Sequence, residues 1–231
     1  MGKNREEKNA KRILKKEERL LFLYDLFLHT KEPDYETIIS LIPYPNRRMF
    51  QRDMKELTAC GLVRMKMNRH GETYYYEERS DAAMQTAREG SSVSRKKRNT
   101  AGKAETRHME RLKRLALLMR ELETAEEDIF ALNEYRETIE FGDEEEKADA
   151  AVPDVLSAKE LYYQLVPDAT ERLRQRDFAL LNKVGYKIWY DRLTDKYIAS
   201  FPYSLAESYG LIYADGKIRS DPEKYDAWCR D

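Results

Sequence analysis

The chain has 231 residues, which suits two small domains with connecting segments rather than one large core. Charged residues make up 37% of it and the formal net charge is −1, so the overall charge does not by itself indicate a nucleic-acid binder. The two cysteines and three histidines are scattered, and no stretch approaches the ~20 apolar residues of a membrane span. We therefore expect a cytoplasmic protein with no metal, no cofactor and no membrane partner.

The first 80 residues predict three helices followed by a hairpin. The predicted elements are, in chain order, helices over Arg5–His29, Tyr35–Ser40 and Arg47–Cys60, and strands over Leu62–Met67 and Glu72–Glu77. Asp34 and Asn46 stand where N-caps belong, and Gly61 is a natural left-handed stop. Three helices followed by a hairpin is the element order of a winged helix.

The remainder predicts a basic linker and a second set of similar elements. These are a flexible linker over 80–106, helices over His108–Glu123, Glu126–Phe141, Ala158–Leu165 and Glu171–Val184, a hairpin over Tyr186–Phe201, and a helix starting at Ser220. Thr170 is the expected cap of the fourth of these helices. Residues 126–153 form an acidic insertion that the first half lacks, and we expect its Asp143–Glu146 run to be a loop.

One segment of the chain occurs twice. Leu41–Gly61 and Leu165–Gly185 align without a gap and share eight identities in 21 positions, where roughly one or two would arise by chance. The identical pairs are Leu41/Leu165, Pro43/Pro167, Arg48/Arg172, Gln51/Gln175, Arg52/Arg176, Asp53/Asp177, Leu57/Leu181 and Gly61/Gly185. The predicted fold class is mainly α with small antiparallel β wings (α+β), as two winged helix-turn-helix-like domains in tandem. Their predicted bounds are 1–79 and 107–231.

The third helix carries the pattern of a DNA-reading helix. Phe50, Met54 and Leu57 share one face, which we expect to be buried. The residues expected to contact DNA are Asn46, Arg47, Arg48, Gln51, Arg52 and Lys55 on or capping this helix, and Lys66, Arg69 and His70 on or beside the wing. Arginine can pair with guanine and glutamine with adenine in the major groove. Asp53 would repel phosphate, so we expect it to point inward and pair with an arginine or an amide.

The second aligned helix keeps only part of this pattern. Arg172, Gln175 and Arg176 match the first copy and are also candidate DNA contacts, but Glu171 replaces Arg47 and Arg174 replaces Phe50. A buried, unpaired arginine would be costly, so either the helix is rotated or Arg174 pairs with the acidic insertion. The second domain either reads DNA or mediates dimerisation or partner binding.

The segment Asn46–Val63 resembles a known family of DNA-binding domains. Its sequence, NRRMFQRDMKELTACGLV, is similar to the pattern S-x-R-T-I-x-R-D-L-x-x-L-x-x-x-G-L-I of the DeoR-like winged helices. Domains of this kind are also found at the N-terminus of the WYL-domain regulators of bacteria. The resemblance covers about residues 19–77. It implies a bacterial or phage regulator whose reading helix spans Asn46–Cys60. Met49 replaces the usual threonine, and no WYL or sugar-phosphate sensor domain follows.

These patterns predict a sequence-specific transcriptional regulator that binds double-stranded DNA and is not an enzyme, since no catalytic constellation or phosphate-binding loop is present. One alternative is a tandem winged-helix replication initiator of a plasmid or phage. Another is a winged-helix protein-interaction module that does not bind DNA. The basic run Arg95–Arg98 is either an arm along phosphates or a solvated linker.

Overall fold

The computed structural model describes residues 13–30, 33–63, 65–67, 74–76, 100–200 and 205–221. Within these ranges the protein is mainly helical, with three two-stranded antiparallel sheets. This confirms the α+β class. No helix in the described part of the chain is long and apolar enough to cross a membrane.

Nine helices and six strands follow one another in the described ranges. The helices are α1 Lys16–His29, α2 Tyr35–Leu41, α3 Arg47–Cys60, α4 Thr100–Thr124, α5 Glu126–Phe141, α6 Glu144–Asp149, α7 Ala158–Leu165, α8 Glu171–Val184 and α9 Leu205–Tyr209. The strands are β1 Met65–Met67, β2 Tyr74–Tyr76, β3 Lys187–Asp191, β4 Lys196–Ser200, β5 Ile212–Ala214 and β6 Lys217–Arg219.

Contacts divide the chain into two units whose bounds differ from the predicted domains. The first unit comprises Met1–Lys113 and Tyr203–Asp231, and the second comprises Arg114–Pro202. The sequence predicts that the C-terminal segment belongs to the second domain. It joins the first because the backbone amide of Leu205 donates to Asp25 Oδ2 at 2.9 Å and the Tyr209 ring packs edge-on against Phe22.

The start of α1 also differs from the predicted helix over Arg5–His29. The helix begins at Lys16, while Ile13 bridges to Arg219 and the Leu14 amide donates to the Ile218 carbonyl at 2.9 Å. The backbone of this segment is thus paired with β6 instead of coiled into a helical turn. Residues 5–12 lie outside the described residues.

The central part of helix α1 is buried on all sides. Every residue from Leu20 to Phe27 is buried, so all sides of the helix are covered over these two turns. The reason is that the C-terminal segment packs on α1, with helix α9 making the contact. The covering segment therefore buries a second face of the helix, where Asp25, the one charged residue of this stretch, accepts the Leu205 amide.

The first unit contains a two-stranded hairpin where the sequence predicts a wing. Strands β1 and β2 pair antiparallel, with Met65 opposite Tyr76 and Met67 opposite Tyr74. Leu62 and Val63, predicted to belong to the first strand, are not part of β1, and residues 64, 72, 73 and 77 lie outside the described residues. The turn between them lies outside the described residues.

The linker between the predicted domains ends earlier than expected. Helix α4 begins at Thr100 instead of His108, so residues 100–106 are helical and not part of a linker. The large apolar residues on the inner face of this helix are all buried: Leu112, Leu115, Leu118, Met119 and Leu122. Residues 80–99 and the helix predicted from Ser220 onward lie outside the described residues, apart from Ser220 and Asp221, which are not helical.

The second unit matches most of its predicted elements. Helices α5, α7 and α8 have the predicted bounds, and β3 pairs with β4 around a turn at residues 192–195. The Asp143–Glu146 run, expected to be a loop, instead starts α6. Asp143 caps that helix by accepting the amides of Glu145 and Glu146, and the Glu146 carboxylate accepts the Asp143 amide. This capping box makes the run a helix start.

Candidate nucleic-acid interface

Helix α3 is fixed at both ends by the predicted caps. Asn46 Oδ1 accepts the Met49 amide at 2.9 Å, and Gly61 ends the helix in the left-handed conformation, with φ 71°. The predicted inner face is confirmed, since Phe50, Met54 and Leu57 are buried. The position and rotation of α3 are therefore set by its caps and its packed face.

The carboxylate of Asp53 points inward, as predicted, and pairs with Arg19 on α1. Arg19 Nε donates to Asp53 Oδ2 at 2.5 Å and Nη2 donates to Oδ1 at 3.0 Å. The Tyr44 hydroxyl oxygen is buried near this pair. Burial alone would lower the pKa of Arg19. The hydrogen bonds to Asp53 and its negative charge outweigh burial, so the pKa of Arg19 is raised. The pair joins α1 to α3 and keeps a negative charge off the outer face.

The outer face of α3 carries the residues predicted to contact DNA. All of these are exposed: Arg47, Arg48, Gln51, Arg52 and Lys55. The Arg47 guanidinium lies 5.2 Å from the centroid of the Tyr35 ring, so an aromatic side chain on α2 supports it. Asn46 is also exposed, and its side chain is used in the cap.

Both carboxylates of α3 are paired away from this outer face. Asp53 is bound to Arg19, and Glu56 Oε2 lies 2.5 Å from Lys16 Nζ while its other oxygen contacts His108 Nε2. Burial raises the pKa of Glu56, but the hydrogen bonds of Lys16 and His108 outweigh it and the pKa is lowered. Among the 14 residues of α3, all of which the structure describes, the exposed charges are therefore positive.

The N-terminal half of α4 lies along one flank of α3. Besides the His108–Glu56 contact, Cys60 Sγ lies 3.2 Å from Met109 Sδ. A groove of about 780 Å³ lies among α1, α3 and this half of α4. Arg52 and Lys55 form part of its wall, so these two side chains are partly flanked by α4, while Arg48 and Gln51 do not line the groove.

The residues predicted to lie on or beside a wing are described only in part. Lys66 is the central residue of β1, opposite Tyr75 of β2, and only its backbone placement is described. Arg69 and His70 lie outside the described residues.

Helix α8 buries all five positions that α3 buries, and Leu180 in addition. Residues Phe50, Asp53, Met54, Leu57 and Cys60 of α3 align with Arg174, Asp177, Phe178, Leu181 and Val184, and all ten are buried. Thr170 caps α8 as predicted, with its hydroxyl accepting the Leu173 amide at 3.3 Å. The helix is therefore not rotated. Arg172, Gln175 and Arg176 are exposed, as their counterparts are in α3.

The inward carboxylate of the second unit is also paired with an arginine. Arg114 Nε donates to Asp177 Oδ2 at 2.5 Å and Nη2 donates to Oδ1 at 3.3 Å, and the Tyr162 hydroxyl donates to Oδ2 at 2.9 Å. Asp177 aligns with Asp53, and Arg114 is the first residue of a run, RLALL, that resembles the RLLFL that begins at Arg19. The two arginine partners were missed in the sequence because they lie at different distances from their aspartates, 34 and 63 residues away.

Arg174 does not pair with the acidic insertion, contrary to one of the two predictions for it. Its partner is Glu171, one turn earlier on the same helix, with Nε donating to Oε2 at 3.0 Å and Nη2 contacting Oε1. The guanidinium also lies 4.7 Å from the centroid of the Phe178 ring and 4.3 Å from that of Tyr197. An i, i+3 carboxylate and two aromatic rings thus allow an arginine to occupy the position of Phe50.

Glu171 is the centre of a small network at the start of α8. It accepts hydrogen bonds from the Tyr163 hydroxyl at 2.9 Å and from Gln175 Nε2 at 3.0 Å, in addition to Arg174. These bonds, with that of Arg174 the strongest, lower the pKa of Glu171 to about 2. At neutral pH the N-terminal end of α8 therefore presents an ionised carboxylate, and Gln175 is hydrogen-bonded to it.

Comparison of the chain with family models, with curated proteins and with solved structures finds no match.

Proposed function

We propose that this protein is a sequence-specific DNA-binding transcriptional regulator in which α3 enters the major groove. In this proposal the two units are winged-helix-like domains in tandem, and the resemblance of residues 19–77 to the DeoR-like domains reflects the same mode of DNA binding. The observation that carries the proposal is the outer face of α3, where the exposed charges are all positive because Asp53 and Glu56 are held elsewhere.

The roles of the side chains follow from their places on the helix. Arg48 and Gln51 lie in the first two turns, the part of a recognition helix that contacts base edges. Arginine donates two hydrogen bonds to guanine and glutamine exchanges two with adenine, so these residues supply the base readout. Arg47, Arg52 and Lys55 bind phosphates on either side and set the register of the helix.

We infer that α8 contributes little to base reading. Glu171 takes the place of Arg47 and would meet the phosphate backbone with a negative charge. Gln175, the counterpart of Gln51, is already hydrogen-bonded to that carboxylate. Reading through α8 would require breaking this bond and desolvating a paired carboxylate.

The test is fluorescence anisotropy of the full chain with DNA from upstream of its own gene and with a scrambled duplex, across a salt series. Tighter binding to the upstream DNA supports the proposal. A steep salt dependence with equal affinity for both duplexes would mean only non-specific phosphate binding. No binding to either at low salt would reject DNA binding.

A further inference from the structure

The outward face of α5 exposes two phenylalanine rings. Phe130 is 66% exposed and Phe141 is 77% exposed, the highest values among the large apolar residues whose side chains the structure describes. Eleven residues make about three helical turns, so both rings lie on one face of α5, about 16 Å apart along its axis.

Another face of α5 is packed within the second unit. Ile129 and Leu132 are buried, and Asn133 Nδ2 donates to the Ala199 carbonyl of β4 at 3.4 Å. The orientation of α5 is therefore set by its inner face, and the two rings remain in solvent. Scattered single apolar residues are normal on a surface, but two large rings aligned on one helical face indicate a binding surface.

The charge around the rings is strongly negative. Residues 126–146 contain ten carboxylates and one guanidinium, that of Arg136, which is itself paired with Glu140 at 2.8 Å. Glu134 and Glu137 are exposed on the same face between the two rings. This charge excludes a nucleic-acid partner for α5 and favours a cationic one.

We propose that this face of α5 binds a basic amphipathic helix of a partner protein. Two apolar side chains of the partner, about three turns apart, would pack on Phe130 and Phe141, and its lysines or arginines would pair with Glu134 and Glu137. The basic segment of this chain, residues 88–100, contains only one large apolar residue, Val93, and cannot supply both anchors. This inference does not depend on DNA binding by α3.

The test uses a fluorescein-labelled, amidated Ala/Lys peptide of about 18 residues with two leucines 11 positions apart, titrated with the full-length protein. A peptide of the same composition with its leucines on opposite faces is the control. We expect Phe130→Ala and Phe141→Ala each to weaken binding roughly tenfold, since such rings act as anchors at an interface. Glu134→Lys with Glu137→Lys should remove the salt-sensitive part of binding.

A matched control variant distinguishes anchoring of the peptide by the two rings from non-specific hydrophobic binding. Leu193→Ala removes another exposed apolar side chain, 46% exposed, from the β3–β4 turn of the same unit, and it should leave binding unchanged. Because both rings are exposed, circular dichroism should show all variants folded. The proposal is overturned if the peptide does not bind at low salt, or if it binds both phenylalanine variants as tightly as the wild type. It is also overturned if sedimentation shows that the rings hold two copies of this chain together.

Discussion

Arg19 and Asp53 form a bidentate ion pair that joins α1 to α3, with N–O distances of 2.5 and 3.0 Å. The second unit contains the same arrangement between Arg114 and Asp177, at 2.5 and 3.3 Å. In each unit the aspartate belongs to the helix that aligns between the two copies, and it is at most 2% exposed. Because the carboxylate is inside, the outer face of the helix is free of its charge.

We predict that removing either aspartate is strongly destabilising. Asp53→Ala or Asp177→Ala leaves a mostly buried guanidinium without its partner, which typically costs about 3–5 kcal/mol. Urea unfolding followed by circular dichroism measures the change in the free energy of unfolding. Glu140→Ala, which breaks the more exposed pair with Arg136, is the control and should cost under about 1 kcal/mol.

The double variant distinguishes a pair from two independent residues. If Arg19 and Asp53 act together, Arg19→Met combined with Asp53→Ala should cost less than the sum of the single variants. Additive costs would contradict a direct role of the ion pair in joining the two helices.

A second prediction concerns the arginine that replaces the core phenylalanine. Arg174→Lys keeps the positive charge but loses the two-pronged contact with Glu171 and the stacking on Phe178 and Tyr197, so we expect a loss of about 1–2 kcal/mol. Arg174→Ala adds a cavity and should cost about 3 kcal/mol or more. The same urea measurement applies, and a lysine variant as stable as the wild type would show that planar geometry is not required.

A third prediction is that the contribution of Glu171 to the stability of the fold is lost in acid. Its pKa is about 2 in the folded protein, lowered from 4.5 chiefly by the hydrogen bonds of Arg174. A lowered acid pKa means that the contribution to stability is present above pH 4.5 and is lost as the pH falls toward 2. The Tm of Glu171→Gln should therefore fall below that of the wild type at pH 6, and the two should converge near pH 2. A Tm difference that does not change with pH would contradict the ionised pair.

A fourth prediction concerns the Cys60 thiol beneath α4. Burial raises the pKa of Cys60 from 9.0 to about 11, so its contribution to stability is present below pH 9 and is lost as the pH rises toward 11. At pH 8 the thiolate is about 100-fold scarcer than in the unfolded chain. In a Cys229→Ser background, iodoacetamide should label Cys60 at least that much more slowly in the native protein than in urea. Equal rates would show that α4 does not cover α3.

The sequence predicted the features that repeat or follow a local rule. The caps Asn46 and Thr170 and the buried positions of α3 follow from helix periodicity and capping chemistry. The inward position of Asp53 followed from charge, since a carboxylate facing DNA would oppose binding. Its partner Arg19 could not be identified because a long-range pair leaves no spacing signal.

The parts that were not predicted depend on tertiary contacts or very short elements. The early start of α4 was missed because residues 100–106 lack an apolar stripe. The β5–β6 hairpin was missed because each strand has three residues, although Asp215-Gly216, with φ of 51° and 73°, is a turn signal that the sequence displays. Neither the strand length nor the turn signal indicates that the C-terminal segment packs on α1.

The central claim, that α3 reads DNA and α8 does not, is tested most directly by two matched double variants. Arg48→Ala with Gln51→Ala removes the proposed base contacts, and Arg172→Ala with Gln175→Ala removes the aligned side chains of α8. Each lost base contact costs about 1–3 kcal/mol, so the first variant should bind the upstream DNA at least about 30-fold more weakly in fluorescence anisotropy. The second should bind within about threefold of the wild type. Equal affinities for the first variant and the wild type, or a loss confined to the second, would contradict the proposed role of α3.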